Sequence, residues 1–168
     1  MSATHRGDAS QGYLDHTLDP AEFADPPDLG LSQSRLARFL NIKPATKTLC
    51  FSVGRGQARQ ILVRLLRGWK KEGIRDIVLD RERNLIFARL DRSNRLKLRE
   101  CSFVIELYVM LARGRKANLS ICRFTQRKGA ASSFRTIVEE VESLLKGRNV
   151  LVKDEGIRRE MESVLVGV

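Results

Sequence analysis

Two short basic clusters are where chemistry is easiest to place in this chain. Arg113, Arg115 and Lys116 surround Gly114, and Arg127 and Lys128 stand between Gln126 and Gly129. Cations grouped on glycine-containing turns bind anions, whether phosphates, carboxylates or a charged surface. Nothing comparable suits catalysis. The only histidines are His5 and His16, and no pair of carboxylates is set in an apolar stretch, so general acid–base chemistry lacks its usual side chains. Gly54-Arg55-Gly56 opens the run GRGQAR, which lacks the third glycine of a dinucleotide fingerprint. The three cysteines, Cys50, Cys101 and Cys122, form no CxxC pair and are odd in number. They read as small apolar residues in a reduced compartment, not as a disulfide framework or a zinc site. Neither a catalytic residue, a metal nor a cofactor is expected.

The charge is unevenly spread. Residues 1–30 hold one cation, Arg6, against six acids, a net −5, so the rest of the chain carries +16 within a total of +11. A domain with that excess repels itself, and an acidic partner is the first explanation: nucleic acid, anionic lipid or an acidic protein. The longest apolar candidate, residues 103–112, is interrupted by Glu106 and falls short of the roughly 20 residues that span a bilayer. With no signal peptide visible either, the chain is expected to be soluble and cytoplasmic.

The elements that position the cations follow from periodicity. Residues 1–30, acidic with Pro20, Pro26 and Pro27, are expected to be a disordered linker. A domain over residues 31–168 follows, with short flanking helices. Ser32 or Ser34 caps the first of these, through Leu36, Phe39 and Leu40. Residues 48–53 alternate as a strand with Leu49, Phe51 and Val53 on one face. Ala58, Ile61, Leu62, Leu65, Leu66 and Trp69 then make the apolar stripe of a long helix, stopped by Gly73. Residues 75–80, 85–90, 103–111 and 119–124 read as four more strands. Ser132 or Ser133 caps a second long helix, striped by Phe134, Ile137, Val138, Val141, Leu144 and Leu145. Ile157, Met161, Val164 and Leu165 stripe a last, shorter one. Strand, helix, four strands, helix gives an α+β domain: a four- to five-stranded antiparallel sheet with two main helices on one face.

Direction can be counted along that order. If each link reverses the chain, the 54–56 turn, the 81–84 turn and the 113–116 hairpin share one end. Lys43, Lys47, Arg127 and Lys128 share the other, with Lys70, Lys71, Arg75, Arg92, Arg95 and Lys97 around them. Both ends are basic, so the count alone does not choose between them.

With Leu49–Val53 leading into the first long helix, and Arg123-Phe124…Gly129…Phe134 leading into the second, the chain from about Leu31 to Leu165 resembles the kinase-associated-1 domain. The likeness is to the fungal type, from the C-terminus of septin-associated, AMP-activated-kinase-related Ser/Thr protein kinases. It rests on NIKPATKTLCF and RKANLSICRFTQRKGAASSFRTIVEEVE. The resemblance implies binding of acidic phospholipids such as phosphatidylserine, recruitment to the plasma membrane, bud neck or septum, and in some members restraint of the kinase domain. Septin-associated proteins would be further partners. By that likeness the lipid contacts are Lys47, Arg123, Arg127 and Lys128, and the directional count adds Lys43 beside them. Arg55, Arg59, Arg113, Arg115 and Lys116 form a secondary basic surface. The charges at Arg127 and Lys128 come later after Arg123-Phe124 than the family pattern has them. No Gly-rich loop, HRD or DFG motif is present, so this chain is not expected to be an enzyme, and the kinase would lie elsewhere in a larger protein. The alternative is a basic nucleic-acid-binding domain. It would need stacking aromatics exposed on the sheet, whereas Phe51, Phe87, Phe103 and Phe124 read as core.

Overall fold

The computed structural model describes residues 43–112 and 115–166. The acidic stretch 1–30, the short helix expected near residue 36 and Arg113 lie outside the described residues. The elements are β1 (Thr46–Phe51), α1 (Arg55–Gly68), a 3-10 turn (Lys70–Glu72), β2 (Ile74–Asp80), β3 (Leu85–Leu90), β4 (Cys101–Ala112), β5 (Arg115–Gly129), α2 (Ala131–Gly147) and α3 (Glu155–Val166). The fold is α+β. Its five strands form one antiparallel sheet in the order β1-β5-β4-β3-β2. The first strand therefore pairs with the last, and α1 carries the chain from one edge of the sheet to the other.

One face of the sheet holds the main core. Leu49, Phe51, Ile86, Phe103, Ile105, Cys122 and Phe124 meet Leu62, Leu66, Phe134, Ile137, Val141 and Leu145 from α1 and α2. Phe103 and Phe134 lie with ring centroids 6.2 Å apart and tilted by 57°. The stripes expected of both long helices are the buried ones, with three exceptions. Trp69 and Ile61 are only partly buried at the margin of the core, and Leu144 is exposed at the outer side of α2. Trp69 sits where α1 gives way to the 3-10 turn, and its N–H bonds Leu66 O at 3.1 Å. Gly73 ends that turn at φ 118°, a left-handed conformation that glycine adopts freely.

The last helix does not join the other two. Met161 and Leu165 pack with Cys50 and Ile121 on the opposite face of the sheet. Its expected stripe was too wide, since Ile157 and Val164 are exposed. A helix resting on the end of one sheet face needs only two inward positions.

β5 differs most from expectation. Arg127 and Lys128 belong to a 15-residue strand and not to a turn. β1 pairs with β5 only over Ser120–Thr125, and it is the longer ladder with β4 that holds β5 extended well past the apolar run of residues 119–124. A bulge absorbs the extra residue: Lys128 pairs with Ser102 and Gln126 with Phe103, so Arg127 is the additional residue on β5. Gly129 then turns the chain into α2 at φ 86°, and a Cβ there would overlap Glu100 O. The helix begins at Ala131 on Ala130, not on a serine, because the Ala130 N–H is tied to Glu100 O at 3.1 Å. Gly129→Ala should cost about 2–3 kcal/mol, from left-handed backbone strain and the overlap together. A denaturant titration showing an unchanged midpoint would contradict this account of the turn.

Candidate anion-binding surface

The register puts the start of β1 beside the end of β5. Thr46 pairs with Thr125 and Lys47 with Phe124, and the Gln126 N–H bonds Ala45 O at 2.9 Å. Lys43, Lys47, Arg127 and Lys128 thus share one end of the sheet, as the directional count expected. They do not share one face. Lys47 lies across from Phe124 and points to the helix side, where it meets Glu142 at 3.5 Å. Arg127 lies on the other face, its guanidinium 5.3 Å from the centroid of the Phe87 ring. Lys128 is exposed beside it, opposite Ser102. Lys43 is exposed where the described chain enters the sheet.

Two of the expected contacts are already paired. Glu142 holds both Lys47 and Lys146, the latter at 3.1 Å. Burial alone would raise the Glu142 carboxyl, but the Lys146 hydrogen bond and the Lys47 charge outweigh it and hold its pKa below the ordinary value. A depressed carboxylate stabilises the fold at neutral pH, and that contribution is lost as pH falls through the lowered pKa. The lysines are about half exposed (Lys47) and more (Lys146), so the cluster is worth at most about 1 kcal/mol. Glu142→Gln should therefore shift the melting temperature by no more than a few degrees at pH 7, and by less in acid.

Arg123 is set deeper. It pairs with Thr48 on β1 and Glu106 on β4. Its Nε donates to Glu106 Oε2 at 2.6 Å and its Nη2 to Tyr108 Oη at 2.9 Å, with the guanidinium 5.5 Å from the Tyr108 ring centroid. The Glu106 hydrogen bond raises the Arg123 pKa. Its charge is largely spent inside the sheet face, where it fixes Glu106 and Tyr108.

The structure adds cations that periodicity had not selected as a site. Arg75 on β2 pairs with Arg89 on β3, Arg89 with Ser102 on β4, and Ser102 with Lys128 on β5. Directly paired residues project from the same face, so Arg75, Arg89 and Lys128 form one cross-strand row, with Arg127 at the bulge. Arg89 is held by Asp76 at 2.7 Å and Asp91 at 2.9 Å. The only sequence signal for Arg89 was its place two residues after Phe87 in an alternating strand.

The secondary surface is divided. Arg55 and Arg59 sit in the first turns of α1, whose preceding Gly54 lies close to Asn118 of β5. The backbone of Arg115 and Lys116 continues β5 beside Leu111 and Ala112. The 81–84 turn stands well below that hairpin, since Leu85 is level with Glu106 and β4 runs on to Ala112.

A groove of about 490 Å³ follows the outer edge of β1, between Lys47, Glu142 and Lys146 on one side and Lys153, Arg158 and Arg159 on the other. The thiols offer no nucleophile at neutral pH. Burial pushes Cys50 and Cys101 up to about 11 and Cys122 well above its usual value. Among the described residues no group of His, Cys, Asp and Glu could hold a metal ion, and no helix is long and apolar enough to cross a membrane.

The fold and its surface define a small basic α+β module, helices on both sheet faces and cations gathered where the first and last strands meet. The model of the fungal kinase associated-1 domain matches residues 31–152. The chain belongs to that family, a kinase-associated domain of fungal type. No curated protein matches the chain.

Proposed function

We propose that this domain binds the surface of anionic phospholipid membranes, phosphatidylserine-containing ones among them, and so recruits a fungal Ser/Thr protein kinase of which it is the associated part. The observation that carries the reading is the end of the sheet where Lys43, Arg127 and Lys128 gather, extended by the row through Arg89 to Arg75. Each Lys or Arg near an anionic leaflet is worth about 1 kcal/mol. Asp76 and Asp91 already balance Arg89, so Lys43, Arg127, Lys128 and Arg75 supply the attraction, roughly 4 kcal/mol with no headgroup pocket and enough for reversible recruitment. Lys47 stands on the helix side of the same end and supplements this surface, while Arg123 supports it from below. Restraint of the kinase domain is a compatible second role, and the plasma membrane or the septum is the expected site of action.

The test is co-sedimentation of the chain with vesicles, with and without phosphatidylserine, and with RNA as competitor. Binding should require the anionic lipid and weaken with salt, as the Debye length falls from about 10 Å at 0.1 M to about 3 Å at 1 M. Tight RNA binding without vesicle binding would replace this reading with a nucleic-acid one. Against that outcome, Phe51, Phe87, Phe103 and Phe124 are all buried, and the half-buried Tyr108 ring on β4 is occupied by the Arg123 guanidinium.

A further inference from the structure

The sheet has two outer edges, β1 and β2. An open edge presents backbone N–H and C=O groups to any chain that lies beside it. β2 is blunted: its register shifts between Arg75 and Val78, and Asp76 sits at φ 52°. β1 is regular, paired with β5 from Thr46 to Phe51 without a break.

Alternation decides which backbone groups of β1 face outward. The Gln126 N–H of β5 donates to Ala45 O at 2.9 Å, so the odd-numbered residues turn theirs toward β5. The even-numbered ones turn away from it. There Cys50 O accepts from the Val152 N–H at 2.9 Å, and the Ser52 N–H donates to Val150 O at 2.9 Å. The chain thus covers its own edge around the bridge between Phe51 and Leu151. Further down, the N–H and C=O of Thr46 and Thr48 are directed out, and no backbone group bonds them there among the described residues.

Thr48 lines the groove of about 490 Å³ between α2 and α3, where five cations outnumber three carboxylates. Lys47 and Lys146 share Glu142, and Arg158 and Arg159 share Glu155. Lys153 is exposed and has no ion pair among the described residues. An occupant must therefore bring both backbone groups and negative charge. A second copy of this edge would set cations against cations. A flat lipid surface resting on the rim does not reach the half-buried Thr48, whereas a strand does.

We propose that the outer edge of β1 takes an extended acidic peptide segment of a partner protein as an added strand. Its backbone bonds Thr46 and Thr48, and its carboxylates lie between Lys146 on one wall and Lys153 and Arg159 on the other. From Thr46 to Cys50 the edge runs about 13 Å, room for about four residues. The site does not rest on the membrane reading, which uses Lys43, Arg127 and Lys128.

Fluorescence anisotropy with a labelled peptide of about eight residues, alternating Glu and Val, tests the proposal. The peptide should bind the chain, and its fully N-methylated form, which has no N–H to donate, should bind at least tenfold more weakly. Thr48→Pro removes the outward N–H and no bond of the β5 ladder. It should weaken peptide binding at least tenfold while vesicle binding and the melting temperature stay close to the parent's. Lys153→Glu with Arg159→Glu should also weaken the peptide at least tenfold, through charge alone. No binding of the acidic peptide at about 1 mM overturns the proposal. Equal binding of the N-methylated peptide, or of the parent peptide by Thr48→Pro, overturns the strand pairing. A dimer of the chain that Thr48→Pro dissolves gives the edge to a second copy instead. If the Lys153 and Arg159 changes weaken vesicle binding and leave the peptide untouched, the groove belongs to lipid.

Discussion

Changing Lys43, Arg127 and Lys128 together to Glu is expected to reduce binding to phosphatidylserine vesicles at least a hundredfold, with the fold intact. Three cations near an anionic leaflet contribute about 3 kcal/mol, and reversal adds repulsion to that loss. Lys43 and Lys128 are exposed, so their replacement removes no packing. Arg127 stacks on Phe87, and its loss should cost about 1 kcal/mol of stability, which the melting temperature will register separately. The position of the site is tested by two contrasts. Arg81→Glu with Arg83→Glu, on the turn at the other end of β2 and β3, should change vesicle binding less than tenfold. Lys47→Gln should also have a small effect, because Glu142 already balances that charge on the helix side. If the triple variant sediments with vesicles as the parent does, the surface is wrongly assigned. If Lys47→Gln proves as damaging as the triple change, the site belongs on the helix side, along the groove beside β1.

Phe103→Ala should lower the unfolding free energy by about 3–5 kcal/mol. Phe103 is fully buried on a central strand and meets Phe134 from α2. Ile105, Phe124 and Leu66 of the same core are fully buried as well, so little can collapse into the space. Against a total of about 5–15 kcal/mol for an ordinary domain, such a loss is a large fraction. Urea titration with the slope held equal to the parent's is the measurement. A loss under 1 kcal/mol would mean that the sheet and α2 are not one cooperative core. Trp69→Ala should cost less than Phe103→Ala, because Trp69 keeps part of its surface in water at the core margin.

Local pattern carried the reader far in this chain where burial follows period. The stripes Ala58-Leu62-Leu65-Leu66 and Phe134-Ile137-Val141-Leu145 are the buried ones, because a helix packed on a sheet must turn one face inward. β3 runs from Leu85 to Leu90 as expected. The family, too, was legible, from the runs NIKPATKTLCF and RKANLSICRFTQRKGAASSFRTIVEEVE. Where period and burial part, the sequence was silent. Ile157 and Val164 satisfy helical spacing yet remain in water, because α3 touches only the end of one sheet face.

The amino-acid order by itself determined the α+β class, the two core helices, the sign of the charge and the end of the molecule where β1 and β5 bring cations together. Which cations share a face was decided only by tertiary structure. A strand's side chains alternate, so one step of register or one bulge moves a residue across the sheet. Lys47 and Arg127 share one end of the sheet and still project oppositely, one to Glu142 and the other onto Phe87. Arg75 and Arg89 join Lys128 through pairings between residues far apart in the chain. No local pattern records such pairings, because they are set by which strands the folded core brings side by side.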